Sequence, residues 1–183
     1  MSSVQDSASG DRGGKSFAIA LAIVVSLAAI LTILIRQTIE VDQLSTKIPA
    51  PKIQAAGWLN GPGPSEEDLH GKVIVVDAWA FWCSPCRRAA PELVQLYEKY
   101  KDRVVFIGLT SEGIEADQQN RSFLEQTKIT WPNGYGAMKT LSDLKAETIP
   151  QRWVIDRKYN LVWNENSAQS IEEAIDLALA EKP

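Results

Sequence analysis

The sequence has few of the residues that usually bind metal ions or close several crosslinks. Its 183 residues include two cysteines, two methionines and one histidine. A structural zinc site needs about four cysteine or histidine ligands. Attachment of c-type haem needs a histidine directly after a Cys-x-x-Cys pair, where this chain has Arg87. A copper carrier would need further sulfur or histidine ligands. We therefore expect no metal site and no cofactor.

Basic charge is also scarce. Lysine and arginine number 19 against 23 aspartate and glutamate residues, which gives a formal net charge of −4. A nucleic-acid-binding domain would need a basic face, so no nucleic-acid partner is expected. No internal repeat is visible in the sequence, which excludes solenoids and propellers.

The first fifty residues differ from the rest. Residues 1–16 are polar and rich in serine and glycine, and we expect them to be disordered. Residues 17–35 contain no charge, and a helix of that length would span about the thickness of a bilayer. A buried core helix and a cleaved signal peptide are the alternatives, but the run is long and lacks a small-x-small cleavage site. We predict a transmembrane anchor, followed by a tether over residues 36–52.

The remainder, residues 53–183, alternates between strand and helix patterns. The β-branched run Val73–Val76 is typical of a strand buried on both faces. Ser170 and Glu173 form a capping box that predicts the start of the last helix. The pattern predicts an α/β domain that ends in an antiparallel hairpin before that helix. The other predicted elements are a helix after Pro85, a strand at 104–109, helices within 114–127 and 138–146, and hairpin strands at 152–155 and 161–163.

Both cysteines lie in one motif, Trp-Cys-Ser-Pro-Cys, as Cys83 and Cys86. A structural disulfide usually closes a longer loop, because closing a short one removes little entropy from the unfolded chain. Between a strand and a helix, a Cys83 thiolate would be stabilised by the helix dipole and its unpaired N–H groups. The pair is best interpreted as a redox-active dithiol, and a structural disulfide is the alternative.

The sequence from Val76 to Cys86 resembles the active-site segment of thioredoxin-fold oxidoreductases. More narrowly, Leu69–Val73 and Pro91–Leu93 resemble the membrane-anchored TlpA/ResA group, and Thr148-Ile149-Pro150 resembles the cis-proline loop of the fold. The resemblance covers about residues 55–180. It implies a thioredoxin-like three-layer α/β/α sandwich with a mixed sheet, here preceded by one N-terminal transmembrane helix.

The resemblance also implies roles for individual residues. Cys83 is similar to the attacking cysteine and Cys86 to the resolving one. Asp77 is similar to the buried acid that accepts the proton of the resolving thiol, although many TlpA/ResA-like sequences have asparagine there. A solvated aspartate at a strand end is the alternative for Asp77. We expect Cys86 to be more buried than Cys83.

Three further residues are expected to contact the substrate. Ile149-Pro150 resembles the family's cis bond, which would let the Ile149 backbone pair with an extended substrate and keep Pro150 beside the dithiol. A trans proline at the start of a strand is the alternative. Trp82 would flank the reactive sulfur, and most of the other five tryptophans are expected to pack in the core.

The resemblance implies a membrane-tethered thiol–disulfide oxidoreductase that acts outside the cytoplasm. Its partners would be proteins with disulfides or dithiols, for example in cytochrome c biogenesis or copper-site maturation. With two cysteines, the chain would be recharged by a membrane electron carrier. A non-catalytic binding module with a structural disulfide and a thiol peroxidase are the alternatives. The direction of electron flow and the substrate do not follow from the sequence.

Overall fold

The computed structural model describes Leu21, residues 23–32 and residues 48–182. The contacts divide the chain into two units, Met1–Thr46 and Lys47–Pro183. Of the predicted anchor, Leu21 and residues 23–32 are helical, and the rest of that prediction lies outside the described residues, as do the predicted disordered tail and most of the tether. Within the described part of the chain, no helix has the length and apolarity needed to cross a membrane.

The second unit contains seven strands and five helices among its described residues. The strands are β1 (Ile48–Pro49), β2 (Gly57–Leu59), β3 (Val73–Ala78), β4 (Val104–Leu109), β5 (Asn133–Tyr135), β6 (Gln151–Ile155) and β7 (Asn160–Asn164). The helices are α1 (Glu66–Leu69), α2 (Ser84–Tyr100), α3 (Asp117–Thr127), α4 (Met138–Asp143) and α5 (Ile171–Ala180), with a 3₁₀ turn at Ile114–Ala116.

The strands form one mixed sheet in the order β1-β7-β6-β3-β4-β5-β2. Strands β3, β4 and β5 run parallel to one another, whereas the remaining neighbours pair antiparallel. The central strand β3 is buried along its whole length, as its β-branched sequence predicts. The mixed sheet and the β6–β7 hairpin are as expected.

Helices cover both faces of the sheet and make three layers. Helices α2, α3 and α5 pack on one face, where Leu93, Phe123 and Ile175 are buried. Helices α1 and α4 pack on the other, around Leu69 and Leu141. The capping box predicted at Ser170 is present at the start of α5. This arrangement confirms the expected α/β/α sandwich.

Three short strands have no counterpart in the sequence prediction. Strand β1 lies within the predicted tether and pairs with β7, so residues 48–52 are part of the compact unit. Strands β2 and β5 pair with each other at the opposite edge of the sheet. Each has two or three residues, and these include Pro49, Gly57 and Gly134, which disfavour strands. Their pairing partners, not their own propensities, stabilise them.

The cysteine motif and the proline loop meet at one end of the sheet. Strand β3 ends at Ala78, and the chain then passes through the motif into α2. Strand β6 runs antiparallel to β3, so Gln151 at its start pairs with Ala78 at the end of β3. Pro150 therefore lies beside the carboxyl end of β3, close to the cysteines.

Candidate functional site

Cys83 and Cys86 are joined by a disulfide at the N-terminus of α2. Cys83 is the N-cap residue, and its Sγ accepts a hydrogen bond of 3.0 Å from the backbone N–H of Cys86. Helix N-termini stabilise negative charge through their unpaired N–H groups and dipole. The helix therefore contains the donors that would stabilise a Cys83 thiolate after reduction.

The prediction that Cys86 is more buried than Cys83 is wrong for the disulfide form. Cys83 is 2% exposed and Cys86 is 5% exposed. The disulfide holds the Cys83 side chain against the first turn of α2, where its sulfur accepts the Cys86 N–H. Both sulfur-bearing residues are therefore covered when oxidised, and the exposed residues of the motif are Trp82, Ser84 and Pro85.

Trp82 is 60% exposed next to the disulfide, and its contact with a substrate stays a prediction. Its Nε1 donates a hydrogen bond of 2.9 Å to Oε1 of Glu112, in the loop after β4. The Glu112 carbonyl also accepts the N–H of Gly136, which joins this loop to the end of β5. Glu112 was not predicted, because 30 residues separate it from Trp82 in the sequence.

Trp79 forms the base of the site. Its ring stacks on Phe123 with 4.6 Å between centroids, and its Nε1 donates to Oδ1 of Asn133 over 2.8 Å. Gly108 is necessary here, because a Cβ at this position would overlap Asn133 Oδ1 and crowd the Trp79 indole. Trp131, Trp153 and Trp163 are also buried, which confirms that most of the tryptophans pack in the core.

Arg87 directly follows Cys86 and is exposed, but its side chain makes specific contacts. Its guanidinium donates to Oε1 of Gln126 over 2.6 Å and to the carbonyl of Phe81 over 3.3 Å. It also lies 5.1 Å from the Phe123 ring centroid, within cation–π distance. Arg87 therefore ties the cysteine motif to α3.

Asp77 is buried beneath the cysteines, on the face of the sheet covered by α2. It is 6% exposed, which excludes the solvated strand end. Burial raises the pKa of Asp77 to about 7, the positive charge of Arg152 opposes this rise, and Glu165 adds to it. A small cavity of about 10 Å³ is lined by Asp77, Cys86, Pro150 and Arg152 together with apolar side chains. The carboxyl thus shares a cavity with the second cysteine.

The Ile149–Pro150 peptide bond is cis, as the resemblance to the cis-proline loop implied. Pro150 lines the cavity that Cys86 also lines. Ile149 is half-buried and packs against both cores of the domain. Pairing of the Ile149 backbone with a substrate stays a prediction.

Arg152 is an ionisable residue of the site that, like Glu112, was not predicted from the sequence. It lies within a strand whose other residues are mostly buried, and it is 15% exposed. Its Nε donates to Oε1 of Glu165 over 2.5 Å, and its Nη1 lies 3.9 Å from Oε1 of Glu92. A charged residue two positions after the proline was the available signal, but its partners come from distant parts of the chain.

These residues together suit exchange between a dithiol and a disulfide. The helix N-terminus can stabilise a thiolate, the cavity places a carboxyl beside the second cysteine, and exposed Trp82 borders the pair.

Known proteins resemble this chain in both sequence and structure. The thioredoxin-like protein YneN of Bacillus subtilis (strain 168) is 27% identical over 101 residues, which make up 55% of this chain and 59% of YneN. The thiol-disulfide oxidoreductase ResA of Bacillus anthracis is 28% identical over 105 residues, 57% of this chain and 60% of ResA. The chain thus spans about three fifths of the length of these relatives.

A solved structure confirms the expected thioredoxin-like fold. The crystal structure of the thioredoxin-like superfamily protein SPOA0173 superposes with a TM-score of 0.63 at 27% identity, over 74% of this chain and 98% of that one. The family model described as AhpC/TSA matches residues 48–164, which contain both cysteines, Asp77 and Pro150. The chain belongs to the AhpC/TSA family of thioredoxin-like proteins.

Proposed function

We propose that this protein is a thiol–disulfide oxidoreductase whose Cys83–Cys86 pair exchanges with disulfides of other proteins. The observation that carries the proposal is the disulfide at the N-terminus of α2, with the Asp77 carboxyl and Pro150 lining the cavity behind it. The name of the relative ResA, a thiol-disulfide oxidoreductase, supports the same activity.

In the direction of substrate reduction, the reaction has two steps. The Cys83 thiolate attacks one sulfur of the partner's disulfide, forms a mixed disulfide and releases the other sulfur as a thiolate. Cys86 then gives its proton to a base, for which Asp77 is the buried candidate, and its sulfur attacks Cys83 Sγ. The Cys83–Cys86 bond forms and the mixed bond breaks. The partner gains two electrons and two protons, and the dithiol loses them.

Single-thiol variants test this assignment. Because the chain has two cysteines, Cys83→Ser and Cys86→Ser each leave one thiol. We expect Cys83→Ser to reduce a test disulfide no faster than buffer, and Cys86→Ser to accumulate a mixed disulfide at Cys83 that mass spectrometry detects. Reduction by Cys83→Ser at the wild-type rate would show that the assignment is wrong.

Two alternatives give different results in further assays. A structural disulfide in a binding module would have a reduction potential below about −300 mV, whereas an exchanging pair would lie above it. A thiol peroxidase, the other alternative, would consume hydrogen peroxide with turnover. We expect slow peroxide consumption, because Trp82, not a small polar residue, precedes Cys83.

We further propose that the protein is membrane-tethered through residues 17–35, with its dithiol outside the cytoplasm. The uncharged apolar run and the similarity to membrane-anchored TlpA/ResA proteins support this location. Alkaline carbonate should leave the protein in the membrane pellet, and a variant with Val24→Asp and Leu27→Lys should be extracted. In intact cells, a membrane-impermeant maleimide should label the reduced cysteines. Extraction of the wild type, or labelling only after lysis, would contradict this location.

We propose that the domain acts as a reductant of extracytoplasmic proteins, as in cytochrome c or copper-site maturation, and is recharged by a membrane electron carrier. Two cysteines can hold one electron pair, so each turnover needs an outside donor. If the disulfide form of the wild type oxidises the dithiols of the partners that Cys86→Ser traps, and its dithiol form does not reduce their disulfides, the opposite direction is correct.

A further inference from the structure

Arg152 faces Asp77 across two neighbouring strands. In the antiparallel pairing of β3 with β6, Arg152 lies directly opposite Asp77. Side chains at such positions project from the same face, with Cβ atoms about 4.5–5.5 Å apart. That face is otherwise apolar, because Val75 and Val154 from the same two strands are buried in the core beneath α2 and α5. A carboxyl and a guanidinium are thus placed together in a largely apolar layer.

Acidic residues of other segments hold the guanidinium in place. Glu165, just after β7, accepts a hydrogen bond from Arg152 Nε. Glu92 of α2 lies near Arg152 Nη1, but at 3.9 Å it is too far for a hydrogen bond. In residues 48–182, Nη1 is buried with no hydrogen-bond partner. The orientation of the guanidinium therefore depends mainly on Glu165.

Arg152 also reaches the cavity shared by Asp77 and Cys86. The other residues that line this cavity from α2, α3 and the neighbouring loops are apolar, so its ionisable groups are Arg152, Asp77 and, once the disulfide is reduced, Cys86. Beyond the cavity, Glu165 and Glu92 are the acidic groups that contact Arg152. In such surroundings a single charge strongly affects whether a nearby carboxyl is ionised, since little water screens it.

We propose that Arg152, oriented by Glu165, is a positioning residue that sets the charge of Asp77 and thereby the pH above which Cys86 can lose its proton for the second step. In that step the proton moves from Cys86 Sγ to the Asp77 carboxylate, and the thiolate then attacks Cys83 Sγ. Arg152 contacts neither sulfur in this step; it acts through Asp77. The proposal rests on the oxidoreductase function proposed above, and it assigns that reaction a residue outside the cysteine motif.

The second step can be measured alone with 5,5′-dithiobis(2-nitrobenzoate) as the probe. Cys83 of the reduced full chain takes up one thionitrobenzoate and releases another, and the attack of Cys86 then releases the second equivalent. The rate of this second release against pH should rise through a midpoint in the wild type. Asp77→Asn should remove that rise.

Variants of Arg152 and Glu165 should move the pH midpoint of the second release in opposite directions. Arg152→Met removes the positive charge and should raise the midpoint by about one pH unit. Arg152→Lys retains the charge, so its midpoint should lie closer to the wild-type value. Glu165→Gln retains an acceptor for Arg152 Nε but removes a negative charge, and should lower the midpoint. In an Asp77→Asn background, Arg152→Met should have no further effect on the profile.

A direct titration gives a second measure that does not depend on turnover. In the oxidised full chain, the ¹³C signal of the Asp77 carboxyl should titrate at higher pH in Arg152→Met and at lower pH in Glu165→Gln. The proposal would be overturned if Asp77 titrates at the same pH in wild type, Arg152→Met and Glu165→Gln. It would also be overturned if Arg152→Met shifts the pH profile of the second release equally in the presence and in the absence of Asp77. If the wild type never releases the second equivalent, the proposed function fails, whereas release with unchanged midpoints rejects the role of Arg152 alone.

Discussion

Asp77 makes the stability of the domain depend on pH. Its pKa rises from 3.8 to about 7 on folding, so between these values the folded protein keeps a proton that the unfolded chain has lost. The free energy of unfolding therefore falls as the pH rises through this window, and the penalty persists above it. The difference in pKa corresponds to about 4 kcal/mol.

Asp77→Asn should remove this penalty. We expect the variant to match the wild type near pH 4 and to exceed its free energy of unfolding at pH 8 by up to about 4 kcal/mol. Denaturant unfolding of the oxidised full chain from pH 4 to pH 9 measures the difference. Glu67→Gln, which neutralises an exposed carboxyl, is the control. A constant difference between Asp77→Asn and the wild type at every pH would contradict the raised pKa.

Glu112 should affect protein substrates but not small ones, because it holds the exposed ring of Trp82. Loss of a hydrogen bond worth about 0.5–1.5 kcal/mol should lower kcat/KM for a protein disulfide about 2- to 10-fold in Glu112→Ala. The rate with 5,5′-dithiobis(2-nitrobenzoate) should stay unchanged. Glu115→Ala removes the same charge from an exposed position nearby and is the control. An equal loss in both variants would assign the effect to charge, not to Trp82.

Among the elements of the fold, β5 supports the site from the side through Asn133. Asn133→Ala would leave the Trp79 Nε1 donor buried without its acceptor, at a cost of about 1–3 kcal/mol of unfolding free energy. Denaturant unfolding should show this loss, while Asn166→Ala, at an exposed loop position, should change little. If Asn133→Ala is as stable as the wild type, the Trp79–Asn133 hydrogen bond contributes nothing to stability.

The elements also show how far the sequence alone can predict this protein. Strands β3 and β4 and helix α2 were predicted because each has its own hydrophobic pattern. The Cys-x-x-Cys spacing identified Cys83 and Cys86, and the resemblance to the cis-proline loop identified Pro150. Residues such as Arg152 and Glu112 could not be assigned in this way. The environment of Arg152 is created by the pairing of β6 with β3. Glu112 contacts Trp82 because the loops after β4 and β3 lie next to each other. Neither contact can be predicted from a local sequence pattern.

At the scale of the whole molecule, the folded domain includes residues that the sequence assigned to the tether. Both cores are built from residues of the second unit, and β1 adds to this unit before residue 53, where the sequence predicted the boundary. Besides pairing with β7, this segment donates the Ala50 N–H to the carbonyl of Tyr159, and the carbonyl of Pro51 accepts from the Tyr159 hydroxyl. Ala50 also packs against the core around α4.

Two truncated chains distinguish these boundaries. We expect a chain of residues 47–183 to have the same denaturant midpoint as the full chain, because the elements that build both cores are retained. A chain of residues 53–183 loses β1 and the contacts to Tyr159, and should be less stable by about 1–3 kcal/mol, a few hydrogen bonds at about 0.5–1.5 kcal/mol each. Exchange with 5,5′-dithiobis(2-nitrobenzoate) at neutral pH should be unchanged in both, because β1 lies at the sheet edge, three strands from β3. Equal midpoints for the two truncated chains would show that β1 adds no stability, and a lower midpoint for 47–183 than for the full chain would show that the first unit contributes.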